Sequence, residues 1–149
     1  MKRHVTISWI CALLTLLWVY AATSKLFHYK DFLIQLGRQP VPEWSIGVLS
    51  VGLPVLELIA ATLLCYRWTR KVGLWLSLGL MISFSVYVGL ALGGAYGNIP
   101  CSCGGILNSM GWRTHFVFNI AYTVLAFAGV WLTTNKSLNI QARMRDAPE

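Results

Sequence analysis

Two cysteines separated by a single residue form the most reactive pair of side chains in this 149-residue sequence. They stand in the run Cys101-Ser102-Cys103-Gly104-Gly105. A disulfide between them would close a very small ring, which gains little from loop closure and stores strain that makes it labile. The glycines that follow let a second backbone approach closely, as a mixed disulfide requires. The spacing therefore favours thiol–disulfide exchange, with Cys101 and Cys103 as the candidate catalytic residues.

The same pair of thiols has two other interpretations. A Cys-x-Cys motif also binds soft metals such as Cu(I) or Zn, and His28 or His115 would then complete the ligand set. The sequence has no second closely spaced pair of ligands, so we expect no metal site. The second alternative is a structural pair that braces one loop. The remaining two cysteines, Cys11 and Cys65, are expected to behave as small apolar residues; the alternative is a second redox pair near the inner face, which requires spans one and two to pack antiparallel.

Composition indicates where these cysteines reside. Hydrophobic residues make up 56% of the chain and charged residues 11%, and the mean hydropathy is +0.61. Soluble domains carry roughly 25% charged residues, which argues against a soluble enzyme. A net charge of +7 would suit nucleic acid, but in a membrane protein its distribution between the two sides matters more. We therefore expect membrane lipid, and no nucleic acid, as the surroundings.

Four charge-poor runs are each long enough to cross about 30 Å of hydrocarbon as a helix. The predicted spans cover residues 5–24, 44–66, 72–97 and 116–134. Residues 27–39 carry one apolar face at helical spacing, which predicts a short interfacial helix between spans one and two. The fold class is therefore an all-α integral membrane protein, a four-helix transmembrane bundle. Its membrane domain covers residues 1–134, and a polar cytoplasmic tail covers residues 135–149.

A signal peptide is the alternative interpretation of the first run, because a basic start precedes an apolar stretch. That stretch is longer than the usual apolar core of a signal peptide, and cleavage would leave an odd number of spans.

Basic residues near the span ends predict the orientation. With the N-terminus inside, eight of them face the cytoplasm and four face the exterior. The inner residues are Lys2, Arg3, Arg67, Arg70, Lys71, Lys136, Arg143 and Arg145. The outer residues are Lys25, Lys30, Arg38 and Arg113. We predict a bacterial inner-membrane protein with both termini in the cytoplasm, which places Cys101 and Cys103 in the oxidising periplasm.

Three titratable residues are candidates for binding a cofactor. Glu57 is the only acidic residue within a predicted span, where a carboxylate ordinarily faces the bundle interior with a partner or carries protons. Its two interpretations are a proton-relay or quinone-contacting role and a neutral, hydrogen-bonded carboxyl group. Lys25 and His28 lie near the predicted outer interface, where anchoring to the membrane surface is their alternative role. A membrane quinone is the candidate cofactor, although no pattern fixes one.

Three motifs resemble a known family. They are SKLF at residues 24–27, PVLEL at residues 54–58 and CSCGG at residues 101–105. In this order they resemble the DoxX-like superfamily, and its methylamine-utilisation MauE branch in particular, over residues 10–134. The resemblance implies a small redox-associated four-helix membrane protein that takes part in making or maturing a disulfide-rich periplasmic enzyme subunit. The family usually shows Cys-Gly-Cys followed by an aromatic residue and Gly, whereas this chain has Ser102 and Gly104.

The sequence as a whole predicts thiol–disulfide exchange at the periplasmic face through Cys101 and Cys103. The expected partner is a periplasmic thioredoxin-like or cysteine-rich protein. The alternative function is a non-catalytic membrane anchor or chaperone subunit of a periplasmic or respiratory complex.

Overall fold

The computed structural model describes residues 2–39, 41–95 and 111–145, and in these segments all regular structure is helical. The helices are α1 (Lys2–Phe27), α2 (Tyr29–Gly37), α3 (Glu43–Cys65), α4 (Arg70–Leu92) and α5 (Trp112–Arg145). All except α2 contain a segment long and apolar enough to cross a membrane. The predicted all-α membrane fold, with a short helix between spans one and two, is confirmed.

The end of α4 differs from the predicted third span, which extends to residue 97. The helix ends at Leu92, because Gly94 adopts a left-handed backbone with φ of 77°. The amide of Gly94 then donates to the carbonyl of Ala91, and the amide of Ala95 donates to that of Leu90. This pattern is the Schellman motif, which satisfies the last carbonyls of a helix.

The end of α5 also differs from the predicted span. The helix continues from residue 134 to Arg145, since residues 135–145 contain neither proline nor glycine to interrupt it.

The four long helices form a bundle in which α1 and α4 each contact both α3 and α5, while α2 packs against α3 and α1. At one end, Arg70 donates to Ser8 Oγ at 3.5 Å, and Arg3 donates to the carbonyl of Leu132 at 2.9 Å. The other end is called here the α2 end: there α1 and α4 end, α2 lies, and α3 and α5 begin. Both long connections of the chain therefore join helix ends that lie at the α2 end.

The core consists of apolar side chains with small residues where helices approach closely. Its buried members include Ile7, Ile10, Leu14, Trp18, Ala60, Leu64, Leu74, Leu78, Met81, Ala126 and Val130. A Cβ added to Gly73 would lie 3.0 Å from backbone atoms of Leu63 and Leu64, so glycine permits the close contact between α4 and α3.

The outside of the bundle carries large exposed apolar side chains on every span. A surface of this kind is suited to contact with lipid tails, which have no polar groups to offer.

Candidate functional site

A buried ion pair joins α1 to α3. The Nζ atom of Lys25 lies 2.7 Å from Oε1 of Glu57, and their side chains are 6% and 1% exposed. Lys25 Nζ also donates to the carbonyl of Ala21 at 3.4 Å. Lys25 is therefore inside the bundle and paired, and it does not extend to the membrane surface as the anchoring interpretation expected. Each charge has its opposite inside the bundle, which offsets the loss of hydration that an isolated charge would suffer.

The ion pair forms because both residues lie on the buried faces of their helices. On α1 the buried positions at helical spacing are Cys11, Leu14, Trp18, Ala22 and Lys25. On α3 they are Ser50, Pro54, Glu57, Ala61 and Leu64. Intervals of three and four residues keep side chains on one face of a helix, so packing α1 against α3 brings Lys25 to Glu57.

The ion pair borders a cavity of about 280 Å³ in the half of the bundle nearer the α2 end. All five helices contribute to its walls. The apolar lining includes Leu17, Trp18, Phe32, Leu36, Leu53, Met81, Phe84 and Phe118. The polar lining consists of Lys25, Gln39, Glu57, Ser83, Tyr87, His115 and Asn119. The cavity is thus largely apolar with several convergent polar groups, which is the usual character of a ligand site.

Two polar atoms in this lining make no hydrogen bond to any described residue: Oε2 of Glu57 and Nδ2 of Asn119. Asn119 is 4% exposed and Glu57 is 1% exposed. Buried polar atoms ordinarily have partners, because leaving one without a partner costs roughly 1–3 kcal/mol. Oε2 of Glu57 accepts hydrogen bonds and Nδ2 of Asn119 donates them, so the cavity has both an acceptor and a donor for a ligand.

Other contacts fix the walls of the cavity. The indole N–H of Trp18 donates to Ser77 Oγ at 3.0 Å, which joins α1 to α4. The hydroxyl of Tyr87 donates to Oε1 of Gln39, which joins α4 to the segment after α2. Lys25 Nζ lies 6.0 Å from the centre of the Phe32 ring, within the range of a cation–π contact. The cavity therefore has walls held by polar bonds between separate elements.

The predicted cofactor-binding residues are only partly brought together. Lys25 and Glu57 meet at the cavity, whereas His28 is exposed in the turn after α1 and is not part of the lining. Its Nδ1 lies 3.3 Å from the carbonyl of Ser24.

Sequence reasoning missed four polar residues of the lining: Gln39, Ser83, Tyr87 and Asn119. One signal was present for Asn119, which follows His115 by four residues and therefore shares its face of α5. His115 itself, 2% exposed, was considered as a possible metal ligand, and it lines the cavity.

Two of the four cysteines lie within the described residues. Cys101 and Cys103 lie outside the described residues, in the connection that leaves α4 and enters α5 at the α2 end. Cys11 is buried and Cys65 is exposed, and both are thiols. These two border one recess that also includes Arg70. Within the described segments, no three His, Cys, Asp or Glu side chains are placed to hold a metal ion.

Comparison with known proteins gives one match. Over residues 3–132 the chain matches the family described as "Methylamine utilisation protein MauE". No curated protein and no solved structure matches the chain. The matched region includes the first three long apolar segments, most of the fourth and the cysteine pair, and it confirms the family resemblance carried by the three sequence motifs.

Proposed function

We propose that this chain, which belongs to the MauE family of methylamine-utilisation proteins, performs thiol–disulfide exchange at the periplasmic face of the inner membrane. The observation that carries the proposal is the Cys101-Ser102-Cys103 sequence on the connection between α4 and α5. That connection is at the α2 end of the bundle, the end at which the polar cavity also lies. Four apolar helices support a multi-pass membrane location.

The orientation is part of the proposal. The short connection between α3 and α4 contains Arg67 and is followed by Arg70 and Lys71. Basic residues are enriched on the cytoplasmic side of inner-membrane proteins, which favours a cytoplasmic location for this connection and both termini. The α2 end then faces the periplasm, where disulfides form and persist.

The exchange proceeds through a mixed disulfide. In the direction that forms disulfides, a thiolate of the partner attacks the Cys101–Cys103 disulfide, and one of these two cysteines leaves as a thiolate. A second partner thiolate then attacks the mixed disulfide, which releases an oxidised partner and both cysteines reduced. The pair has gained two electrons and two protons. Return of the pair to the disulfide needs a two-electron acceptor, and a membrane quinone would supply one by taking up the two electrons and two protons.

The partner is a thioredoxin-like or cysteine-rich periplasmic protein, and covalent trapping tests this assignment. We expect Cys103→Ser or Cys101→Ser to accumulate a mixed disulfide with the partner, visible on a non-reducing gel and removed by reductant. Cys65→Ser and Cys11→Ser are the matched controls, because these thiols are remote from the α2 end, and neither should trap anything.

Two results would refute the exchange mechanism. One is that neither the Cys101 nor the Cys103 variant captures a protein. The other is that the double Cys→Ser variant still supports maturation of the periplasmic partner, which would leave the role of a membrane anchor or chaperone subunit.

The orientation has a separate test. A thiol reagent that cannot pass membranes should label reduced Cys101 or Cys103 from the periplasmic side of intact cells, whereas Cys65 should react only after the cytoplasmic side is opened. Labelling of Cys65 from outside would show that the orientation is reversed.

A further inference from the structure

We infer that the cavity beside Lys25 and Glu57 is a binding site for the ring of a membrane quinone or quinol that enters from the lipid. Binding requires only the cavity and is independent of the cysteines. The use of the bound ring as the electron acceptor for Cys101 and Cys103 rests on the proposed function.

Size and wall chemistry favour a single ring. The volume of about 280 Å³ is just below the range of roughly 300–1,000 Å³ for pockets that hold drug-sized ligands. Trp18, Phe84 and Phe118 supply aromatic surfaces, and aromatic rings favour offset or edge-to-face contact with another ring. A folded peptide segment would be too large, and a saturated lipid chain would make no use of the polar atoms.

The polar atoms without partners match the oxygens of a quinone–quinol couple. Among the described residues, Nδ2 of Asn119 is a donor without an acceptor, and Oε2 of Glu57 is an acceptor without a donor. A quinone carbonyl accepts a hydrogen bond from Asn119. Quinol hydroxyls can both accept and donate, so the reduced ring carries the groups that both atoms require. A fatty-acid carboxylate fits less well, because Lys25, the lysine that lines the cavity, is already paired with Glu57.

The cavity opens toward the lipid on α4. Ser83 lines the cavity and is also exposed on the outside of the bundle. It precedes the end of α4 at Leu92 by nine residues, which corresponds to about 14 Å along the helix. The opening thus lies well inside a hydrocarbon layer about 30 Å thick. The Ser83 hydroxyl already donates to the carbonyl of Gly79 at 2.9 Å, so an apolar tail passing it displaces no required bond.

Photoaffinity labelling tests the site. The purified full-length protein, in detergent micelles, is illuminated with an azido-substituted short-chain benzoquinone, and the labelled peptides are identified by mass spectrometry. We expect saturable labelling of cavity residues that unlabelled decylbenzoquinone suppresses. Decylbenzene, which has the same tail and ring but no oxygens, should not suppress it. Equal competition by decylbenzene, or labelling confined to residues outside the cavity, would overturn the inference.

Variants of the cavity give a second, quantitative measurement. Asn119→Leu removes the donor at similar size, and we expect it to weaken binding of decylbenzoquinone roughly threefold to tenfold, as loss of one hydrogen bond predicts. Ile120→Leu is the control, because Ile120 is the next residue on α5 and is 41% exposed on the outside. If Asn119→Leu fails to fold, Met81→Phe fills the cavity from another helix and should also weaken binding. Unchanged affinity in a folded cavity variant would refute the site.

The same measurements in the Cys101→Ser/Cys103→Ser protein separate the two proposals. Binding retained in this variant, without any trapped partner in the single variants, would refute the exchange mechanism and leave the quinone site intact. Trapping without quinone binding would refute the site and leave the exchange mechanism intact.

Discussion

The ion pair between Lys25 and Glu57 gives the sharpest prediction about stability. Glu57→Gln leaves the Lys25 charge buried without its partner, with a side chain that is 6% exposed. Lys25→Met leaves the Glu57 charge in the same position, with a side chain that is 1% exposed. Breaking a buried pair in this way costs about 3–5 kcal/mol. Since each 1.4 kcal/mol is a factor of ten, the unfolding equilibrium should shift by roughly two to three and a half orders of magnitude.

The double variant Lys25→Met/Glu57→Leu removes both charges and should recover most of this loss. Replacing a buried ion pair with apolar residues of similar volume is often neutral, or stabilising by about 1–4 kcal/mol. The two single effects are therefore expected to be strongly non-additive. Titration with sodium dodecyl sulfate in mixed micelles, followed by circular dichroism, measures each free energy of unfolding.

Glu43→Gln is the matched control, because Glu43 is an exposed carboxylate in the first turn of the same helix. The reasoning is refuted if Glu57→Gln destabilises the protein no more than Glu43→Gln does. It is also refuted if the double variant loses as much as the two single variants summed.

Two further predictions concern helix packing, and both are read in the same detergent titration. Gly73→Ala should lower the free energy of unfolding by about 1–3 kcal/mol, as overpacking does, because the new Cβ meets the α3 backbone at 3.0 Å. In the control Gly79→Ala, on the same helix, the new Cβ meets nothing within 4 Å, so this variant should be neutral or stabilising. Equal effects of the two would contradict the close contact. Trp18→Phe should lower the free energy of unfolding by at least about 1–3 kcal/mol, because Ser77 loses its 3.0 Å hydrogen bond. The control Trp75→Phe, at a 54% exposed position, should change it by no more than about 0.5 kcal/mol. A Trp18 variant as stable as the Trp75 variant would show that this bond contributes nothing.

The helices of this protein were predictable because their signal is local. A charge-poor run of about 20 residues predicts a membrane-spanning helix whichever helices become its neighbours. The predicted spans 5–24 and 44–66 lie within or close to the bounds of α1 and α3. The end of α4 was predicted too late, because the hydrophobic pattern continues beyond the point at which Gly94 reverses the backbone.

The cavity was less predictable because it depends on which helices are neighbours. The sequence identified Lys25 and Glu57 separately but gave no reason to pair them, since the contact joins residues 32 positions apart and requires α1 to pack against α3. The bond between Tyr87 and Gln39 likewise joins distant segments. The thiol chemistry of Cys101 and Cys103 remains a prediction from spacing and family.

The separation of Lys25 from Glu57 also bears on how the chain enters the membrane during its synthesis. Lys25 leaves the ribosome 32 residues before its carboxylate partner. Glu57 lies near the middle of α3, where a lone charged residue opposes insertion by about 2.5–3.5 kcal/mol, whereas Lys25 lies in the last turn of α1 and is already in place to neutralise it. Insertion of α3 is thereby assisted by α1, so we expect the second span to insert more readily when Lys25 is present on the first.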